Sequence, residues 1–206
     1  MLDTTLYFIT DSTTVSEEKF LPSVEAACKG GATIIQLREK KKTTREYMEL
    51  AAKVHDITSR YNVPLIIDDR VDVALAIGAE GVHVGQTDMP VAIARKLMGP
   101  NKIVGATTKT VPQALEAYKQ GADYLGVGAI YPTTTKVVTI LTSVDTLKEI
   151  VKAVPINVNA IGGLNKDNIH VLKDSGISGI CAVSAIQKSA DPEVATRELK
   201  AAFLAL

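Results

Sequence analysis

Short apolar segments recur along the chain, and each is followed by a polar or glycine-containing cluster. They are rich in Ile, Val and Leu and lack regular polar alternation, which is typical of parallel strands covered on both faces. Amphipathic stretches typical of helices lie between them. The pattern predicts eight strands: Leu6–Thr10, Thr33–Arg38, Pro64–Asp68, Gly81–Val84, Lys102–Ala106, Tyr124–Val127, Val158–Ile161 and Gly179–Val183.

Several of the intervening stretches carry helix-start signals. Thr43 and Glu46 have the spacing of a capping box, and Thr14 and Glu17 have the same spacing. Another helix is predicted over Asp167–Ser175. Strands and helices therefore alternate along the chain.

Eight strand–helix units in 206 residues average about 26 residues each, enough for one strand, one helix and two short loops. Alternation implies a parallel sheet, and eight units indicate a closed (β/α)₈ barrel near its lower size limit. An open doubly wound sheet is the alternative, but it would want a glycine fingerprint after the first strand, where residues 10–13 read Thr-Asp-Ser-Thr. We therefore predict an α/β fold, with one TIM-barrel domain over residues 1–206.

Polar clusters follow the predicted strands at the end where barrel enzymes carry their chemistry. Seven of the eight strands have one, so these clusters are expected to share one rim. They are Gln36–Lys40, Asp68–Arg70, His83–Asp88, Thr107–Lys109, Pro132–Lys136, Gly162–Gly163 and Ser184.

Strand alternation places Gln36 and Arg38 on one face. If the apolar residues beside them meet the helices, both polar side chains face the barrel mouth. A guanidinium there needs an anionic partner, because an unpaired buried charge is costly. That partner is either an anionic ligand, which we favour, or an internal carboxylate, Asp68 or Asp69.

Asp69 and Asp88 follow adjacent strands and are candidate metal ligands. Mg²⁺ prefers hard oxygen ligands and is often held by one or two carboxylates plus substrate phosphate. The alternative is structural, with Asp88 capping the following helix and Asp69 pairing with Arg70 at the surface.

Phosphate binding is a second candidate function of the rim. The loops after strands 7 and 8 of such barrels often bind phosphate through backbone N–H groups, which suits Gly162–Gly163 and Ser184. A plain tight turn is the alternative. Thr133, Thr135 and Lys136 offer hydroxyls and a cation, or else form a solvated loop.

Composition narrows the choice of partners. The 23 basic residues balance the 23 acidic ones, which argues against a general nucleic-acid or membrane-surface binder. The chain lacks an apolar run of about 20 residues and a basic leader, so a cytoplasmic protein is expected. Cys28 and Cys181 are expected to be buried free thiols.

Taken together, these clusters resemble the thiamine-phosphate synthases. The resemblance runs from Leu6 to the last helix, and Gln-Leu-Arg-Glu-Lys at 36–40 with Pro-Thr-Thr-Thr-Lys at 132–136 are its most specific motifs. It implies a barrel enzyme that joins a hydroxymethylpyrimidine diphosphate to a thiazole phosphate, forming thiamine phosphate and diphosphate. It also implies Mg²⁺ and a homodimer or larger homo-oligomer.

The resemblance further implies a role for each site residue. Arg38, Lys40 and Lys136 would offset the charge of the leaving diphosphate, and Asp69 and Asp88 would bind Mg²⁺. The substrate-binding residues would be Gln36, Arg38, Lys40, Asp68, Thr107, Thr133, Thr135, Lys136, Gly163, Val183 and Ser184.

The chain departs from the family pattern at three places. Asp68 stands where Asn is usual, Thr107 and Lys109 replace the Ser and His of a Ser-x-His pattern, and Asn159 occupies an expected apolar strand position. The rival hypotheses are a thiazole tautomerase on the same barrel, a non-catalytic phosphate-ligand sensor, and another phosphate-binding barrel enzyme. The acid pair and the strand-end cations favour the synthase.

Overall fold

The computed structural model describes residues 2–133 and 140–206. Eight parallel strands pair in sequence order and close on themselves, because β1 pairs with both β2 and β8. The strands β1–β8 are Leu6–Ile9, Ile34–Leu37, Leu65–Asp68, Gly81–Val84, Ile103–Thr108, Tyr124–Gly128, Asn157–Ile161 and Gly179–Ala182. The predicted barrel is confirmed, and every strand boundary lies within two residues of its predicted position.

Helices cover the outside of the barrel. The α-helices α1–α8 are Glu17–Lys29, Thr44–Arg60, Val71–Ile77, Val91–Met98, Val111–Lys119, Val144–Ala153, Ser184–Gln187 and Pro192–Leu204. None of the helices in the described ranges is long and apolar enough to cross a membrane.

Of the two predicted capping boxes one is confirmed, and the helix predicted over Asp167–Ser175 is wrong. The capping box of Thr43 and Glu46 is confirmed at the start of α2, with both reciprocal hydrogen bonds. The Thr14 spacing does not cap α1, which begins at Glu17 after Ser16 without a side-chain cap. Over the third predicted helix the chain forms only a 3₁₀ turn, Ile169–Leu172.

Strand alternation divides the apolar residues into two layers. On β1, Leu6 and Phe8 belong to the large core between sheet and helices, whereas Tyr7 and Ile9 belong to a smaller cluster inside the barrel. The free thiols are buried as predicted, and burial raises the pKa of Cys28 to about 12. The inner cluster thus fills part of the barrel interior.

Candidate active site

A pocket of about 190 Å³ opens at the C-terminal ends of the strands. Eleven predicted site residues line it together, and Thr135 and Lys136 lie outside the described residues. The eleven are Gln36, Arg38, Lys40, Asp68, Asp69, Asp88, Thr107, Thr133, Gly163, Val183 and Ser184. The seven-cluster rim predicted from the sequence thus converges on one cavity.

A chain of hydrogen bonds forms the floor of this pocket. Gln36 Nε2 donates to the Tyr7 hydroxyl at 2.8 Å, and that hydroxyl lies 2.7 Å from the Tyr124 hydroxyl. His83 continues the chain, with Nδ1 3.0 Å from Tyr124 Oη and Nε2 2.8 Å from Thr107 Oγ1. Each tyrosine hydroxyl can both donate and accept, and the tautomer of His83 sets the direction of the remaining hydrogen bonds.

Burial keeps the two tyrosines of this floor neutral. Both are fully buried, and burial raises the pKa of Tyr7 and of Tyr124 well above the usual value. Glycine makes room for the second ring, since a Cβ at Gly105 would lie 2.1 Å from Tyr124 Cζ. The two tyrosines are therefore uncharged hydrogen-bonding groups of the floor.

Charged side chains stand on one wall above the floor. Arg38 lies 3.9 Å from a carboxylate oxygen of Asp11 and 3.8 Å from one of Asp68. Lys40 pairs with Asp68 at 2.8 Å and also contacts Asp69. The internal ion pair weighed as the alternative for Arg38 is thus present, at distances too long for a direct hydrogen bond.

The pKa shifts on this wall follow from burial and charge. Burial alone would lower the pKa of Lys40, but Asp68 and Asp69 outweigh it and raise that pKa. Burial raises the pKa of Asp68, and the nearby Lys40 and Arg38 oppose the rise. The wall is a compact group of opposite charges that an anion or a cation could rearrange.

Asp69 and Asp88 converge from β3 and β4. Asp69 has a left-handed backbone, φ 60°, which is uncommon outside glycine and frequent at functional sites. Burial raises the pKa of Asp88, and the neighbouring Asp69 carboxylate raises it further. Asp88 Oδ2 accepts from the Gly85 backbone N–H at 2.8 Å, which holds it in place.

The structural alternatives for these two acids are wrong. Helix α4 is preceded by Pro90 and has no side-chain cap, so Asp88 does not cap it. Arg70 pairs with Asp72 and not with Asp69. Both carboxylates are therefore directed to the pocket.

The donor set fits Mg²⁺ better than a metal that needs a full protein cage. Within the described ranges, no three His, Cys, Asp or Glu side chains cluster as a metal site. Two converging carboxylates are nevertheless a sufficient protein contribution for Mg²⁺, which takes water and substrate phosphate as its other ligands. Burial is the first cause of the raised pKa of Asp88 and the like charge of Asp69 the second, and a bound cation would offset that like charge.

A glycine turn forms the opposite wall. Gly162 and Gly163 both have positive φ, 104° and 66°. A Cβ at Gly163 would lie 2.7 Å from Tyr131 Cβ, so only glycine is accommodated there without displacement. Val183 and Ser184 complete this wall after β8.

Sequence reasoning missed part of the site. Tyr7 also lines the pocket, and so do His83 and Lys109, which belong to the predicted rim clusters but were given no role there. Inward alternation along β1 could have identified Tyr7. The tyrosine pair could not have been found, because it depends on contact across the barrel between residues 117 apart.

Comparison with known proteins identifies the family of this chain. A family model described as thiamine monophosphate synthase matches residues 6–186. The chain belongs to this family. The family is one of transferases.

Similarity to individual members extends over nearly the whole chain. Thiamine-phosphate synthase 2 of Streptococcus pneumoniae is 52% identical, over 93% of this chain and 91% of the relative. Thiamine-phosphate synthase of Methanobrevibacter smithii is 49% identical, over 99% and 97%. The solved thiamine phosphate pyrophosphorylase of Pyrococcus furiosus superposes with a TM-score of 0.90 at 41% identity, over 99% and 97%.

Proposed function

We propose that this enzyme joins hydroxymethylpyrimidine diphosphate to thiazole phosphate and releases diphosphate, in a pocket divided between the two substrates. The observation that carries the proposal is the arrangement of that pocket. A hydrogen-bonding floor lies beneath one wall of cations and paired acids and an opposite wall of glycine turns. One substrate is assigned to the floor and charged wall, and the other to the glycine wall.

The floor would take the aminopyrimidine. Because Gln36 Nε2 donates to Tyr7, the amide is oriented with its carbonyl oxygen directed elsewhere, where it can accept from the exocyclic amine of the ring. The Thr107 hydroxyl is held by His83 at the other end of the floor. Asp68 stands at the edge and offers a further acceptor.

The diphosphate would lie along the charged wall. Arg38 and Lys40 would each exchange a carboxylate partner for a diphosphate oxygen. Both can do so because the ion pairs of Arg38 are long and Lys40 has two carboxylate partners. Asp69 and Asp88 would hold Mg²⁺, whose charge offsets the negative charge that grows on the departing group. Lys136 would add a third cation.

The reaction then needs positioning more than acid–base chemistry. The carbon–oxygen bond to diphosphate breaks, and the electron-rich aminopyrimidine can support the cationic methylene. The thiazole nitrogen supplies the electron pair for the new carbon–nitrogen bond. Holding the two rings together can account for a large part of such a rate.

The phosphate of the thiazole substrate would bind the glycine wall. Gly163, Val183 and Ser184 line it, and the absence of a Cβ at Gly163 allows a close approach to the backbone. Thr133 faces the same pocket, and Thr133, Thr135 and Lys136 would contact the thiazole phosphate or the diphosphate. The homo-oligomer and the cytoplasmic location stay predictions.

Product formation tests the proposal directly. The enzyme is incubated with both substrates, with Mg²⁺ and separately with EDTA, and thiamine phosphate and diphosphate are measured. We expect equal amounts of both products with Mg²⁺, none with EDTA, and recovery on adding excess Mg²⁺. A folded enzyme that binds thiazole phosphate but forms no product would favour the tautomerase or the sensor instead.

A further inference from the structure

Lys109, directly after β5, contacts two distant stretches of backbone. Its Nζ donates to the Gly128 carbonyl at 2.5 Å and to the Ile140 carbonyl at 3.0 Å. Gly128 ends β6, and Ile140 lies just before α6. One ammonium therefore joins the two ends of the connection between β6 and α6, which carries Thr133.

Backbone hydrogen bonds hold the same two ends side by side. The Thr142 N–H donates to the Ala129 carbonyl at 2.8 Å, and the Ile130 N–H donates to the Ile161 carbonyl at 2.9 Å on β7. We call residues 128–130 and 140–142 the neck of the β6–α6 connection. Lys109 approaches this neck from the β5 side.

The base of Lys109 is itself rigid. Its backbone N–H donates to Gln113 Oε1 at 2.8 Å, and Thr110 caps α5 through the Gln113 N–H. The ammonium thus projects from a fixed junction between β5 and α5. Because its backbone is held in this way, the Lys109 side chain can keep the neck at a fixed position relative to β5 and α5.

We propose that Lys109 is a positioning residue, which clamps the neck and thereby fixes where the β6–α6 connection presents Thr133 to the pocket. The ammonium suits this role because it has three donors, whereas the neutral imidazole of the family pattern has one. The contacts of Lys109 with Gly128 and Ile140 go to carbonyl oxygens, which is the geometry of a clamp. The kinetic part of this inference rests on the proposed function, but the hydrogen-bonding part does not.

Lys102 offers a matched control at the other end of the same strand. Its Nζ also donates to two carbonyls, of Gly78 at 2.8 Å and Ala79 at 2.7 Å, and it lies away from the pocket. The test compares Lys109→Met with Lys102→Met in the full chain. Each variant removes an ammonium that joins two backbone carbonyls.

The first measurement is amide hydrogen exchange, which needs no substrate. Loss of the clamp frees the neck to open, so Lys109→Met should accelerate exchange at the Thr142 amide by about tenfold or more. Lys102→Met should leave the Thr142 amide at the wild-type rate. Equal Thr142 exchange in wild type and Lys109→Met would overturn the proposal.

The second measurement separates positioning from direct binding. Lys109→Met should lower kcat/KM on the order of 10- to 100-fold, as small misplacements of positioning groups do, and Lys109→Arg should recover part of the loss. Because the clamp acts through Thr133, Lys109→Met should weaken inhibition by inorganic diphosphate and inorganic phosphate no more than Thr133→Ala does, and the double variant should be no weaker than Thr133→Ala alone. Weakening of either inhibitor by Lys109→Met beyond that of Thr133→Ala would make Lys109 an anion ligand and overturn the clamp.

Discussion

The two ends of the barrel use polar side chains in opposite ways. At the N-terminal end, Lys102 and two asparagines of β7 each donate to backbone carbonyls. Asn157 binds the Leu2 carbonyl at 2.9 Å, and Asn159 binds the Thr4 carbonyl at 2.6 Å. The two asparagines hold the first residues of the chain against this end of the barrel, and Lys102 holds the segment between α3 and β4, so their role is structural.

At the C-terminal end the polar side chains mostly face one another. Arg38 lies 3.8–3.9 Å from the carboxylates of Asp11 and Asp68. Lys40 contacts the carboxylates of Asp68 and Asp69. Such ion pairs can be exchanged for ligand contacts, whereas a side chain that satisfies a buried carbonyl cannot leave without cost. We therefore expect substitutions at the C-terminal end (the top) to change turnover, and substitutions at the N-terminal end (the bottom) to change stability.

The largest effect is expected at Asp88. Asp88→Asn keeps the size of the side chain but removes a proposed ligand of Mg²⁺ and one of the two like charges. Turnover should fall roughly 10²- to 10³-fold, and the Mg²⁺ concentration for half-maximal rate should rise. Steady-state kinetics over a Mg²⁺ titration measures both quantities.

Asp123 is the corresponding acid at the bottom. Its carboxylate also accepts from a strand backbone N–H, that of Val104 at 2.7 Å, and it pairs with Arg95. Asp123→Asn should lower the melting temperature and leave the Mg²⁺ dependence unchanged. If both variants lose turnover alike, the division between the two ends fails.

Asn159 tests the bottom end with the next largest effect. Asn159→Ala removes the donor to the buried Thr4 carbonyl and should cost about 1–3 kcal/mol in the free energy of unfolding. Urea denaturation measures the loss, with the less buried Asn157→Ala as the milder comparison. A fall in kcat/KM in Asn159→Ala at unchanged stability would contradict a purely structural role.

How much the sequence could predict follows the same division. The strands and the shared rim were predictable, because apolar runs and strand-end positions are local features of the chain. Asn159 looked anomalous since its partner, Thr4, is supplied by a segment 155 positions away. The Tyr7–Tyr124 contact at the floor has the same origin. The failed cap at Thr14 shows that a correct spacing is insufficient when a nearby residue, Ser16, starts the helix instead.

The smallest effect is expected at Asp68. This residue also tests most directly whether the ion pairs of the charged wall are exchanged for substrate contacts. Its carboxylate competes with diphosphate for Arg38 and Lys40, so Asp68→Asn should lower the KM for the pyrimidine diphosphate about threefold, in the range of a weak ion pair. The KM for thiazole phosphate should not change. Asp72→Asn, which breaks only the outlying pair with Arg70, should alter neither value. A higher KM in Asp68→Asn would instead show that the contact of this carboxylate with the pyrimidine outweighs its competition with diphosphate, and the charged wall would then bind its substrate with the Asp68 ion pairs in place.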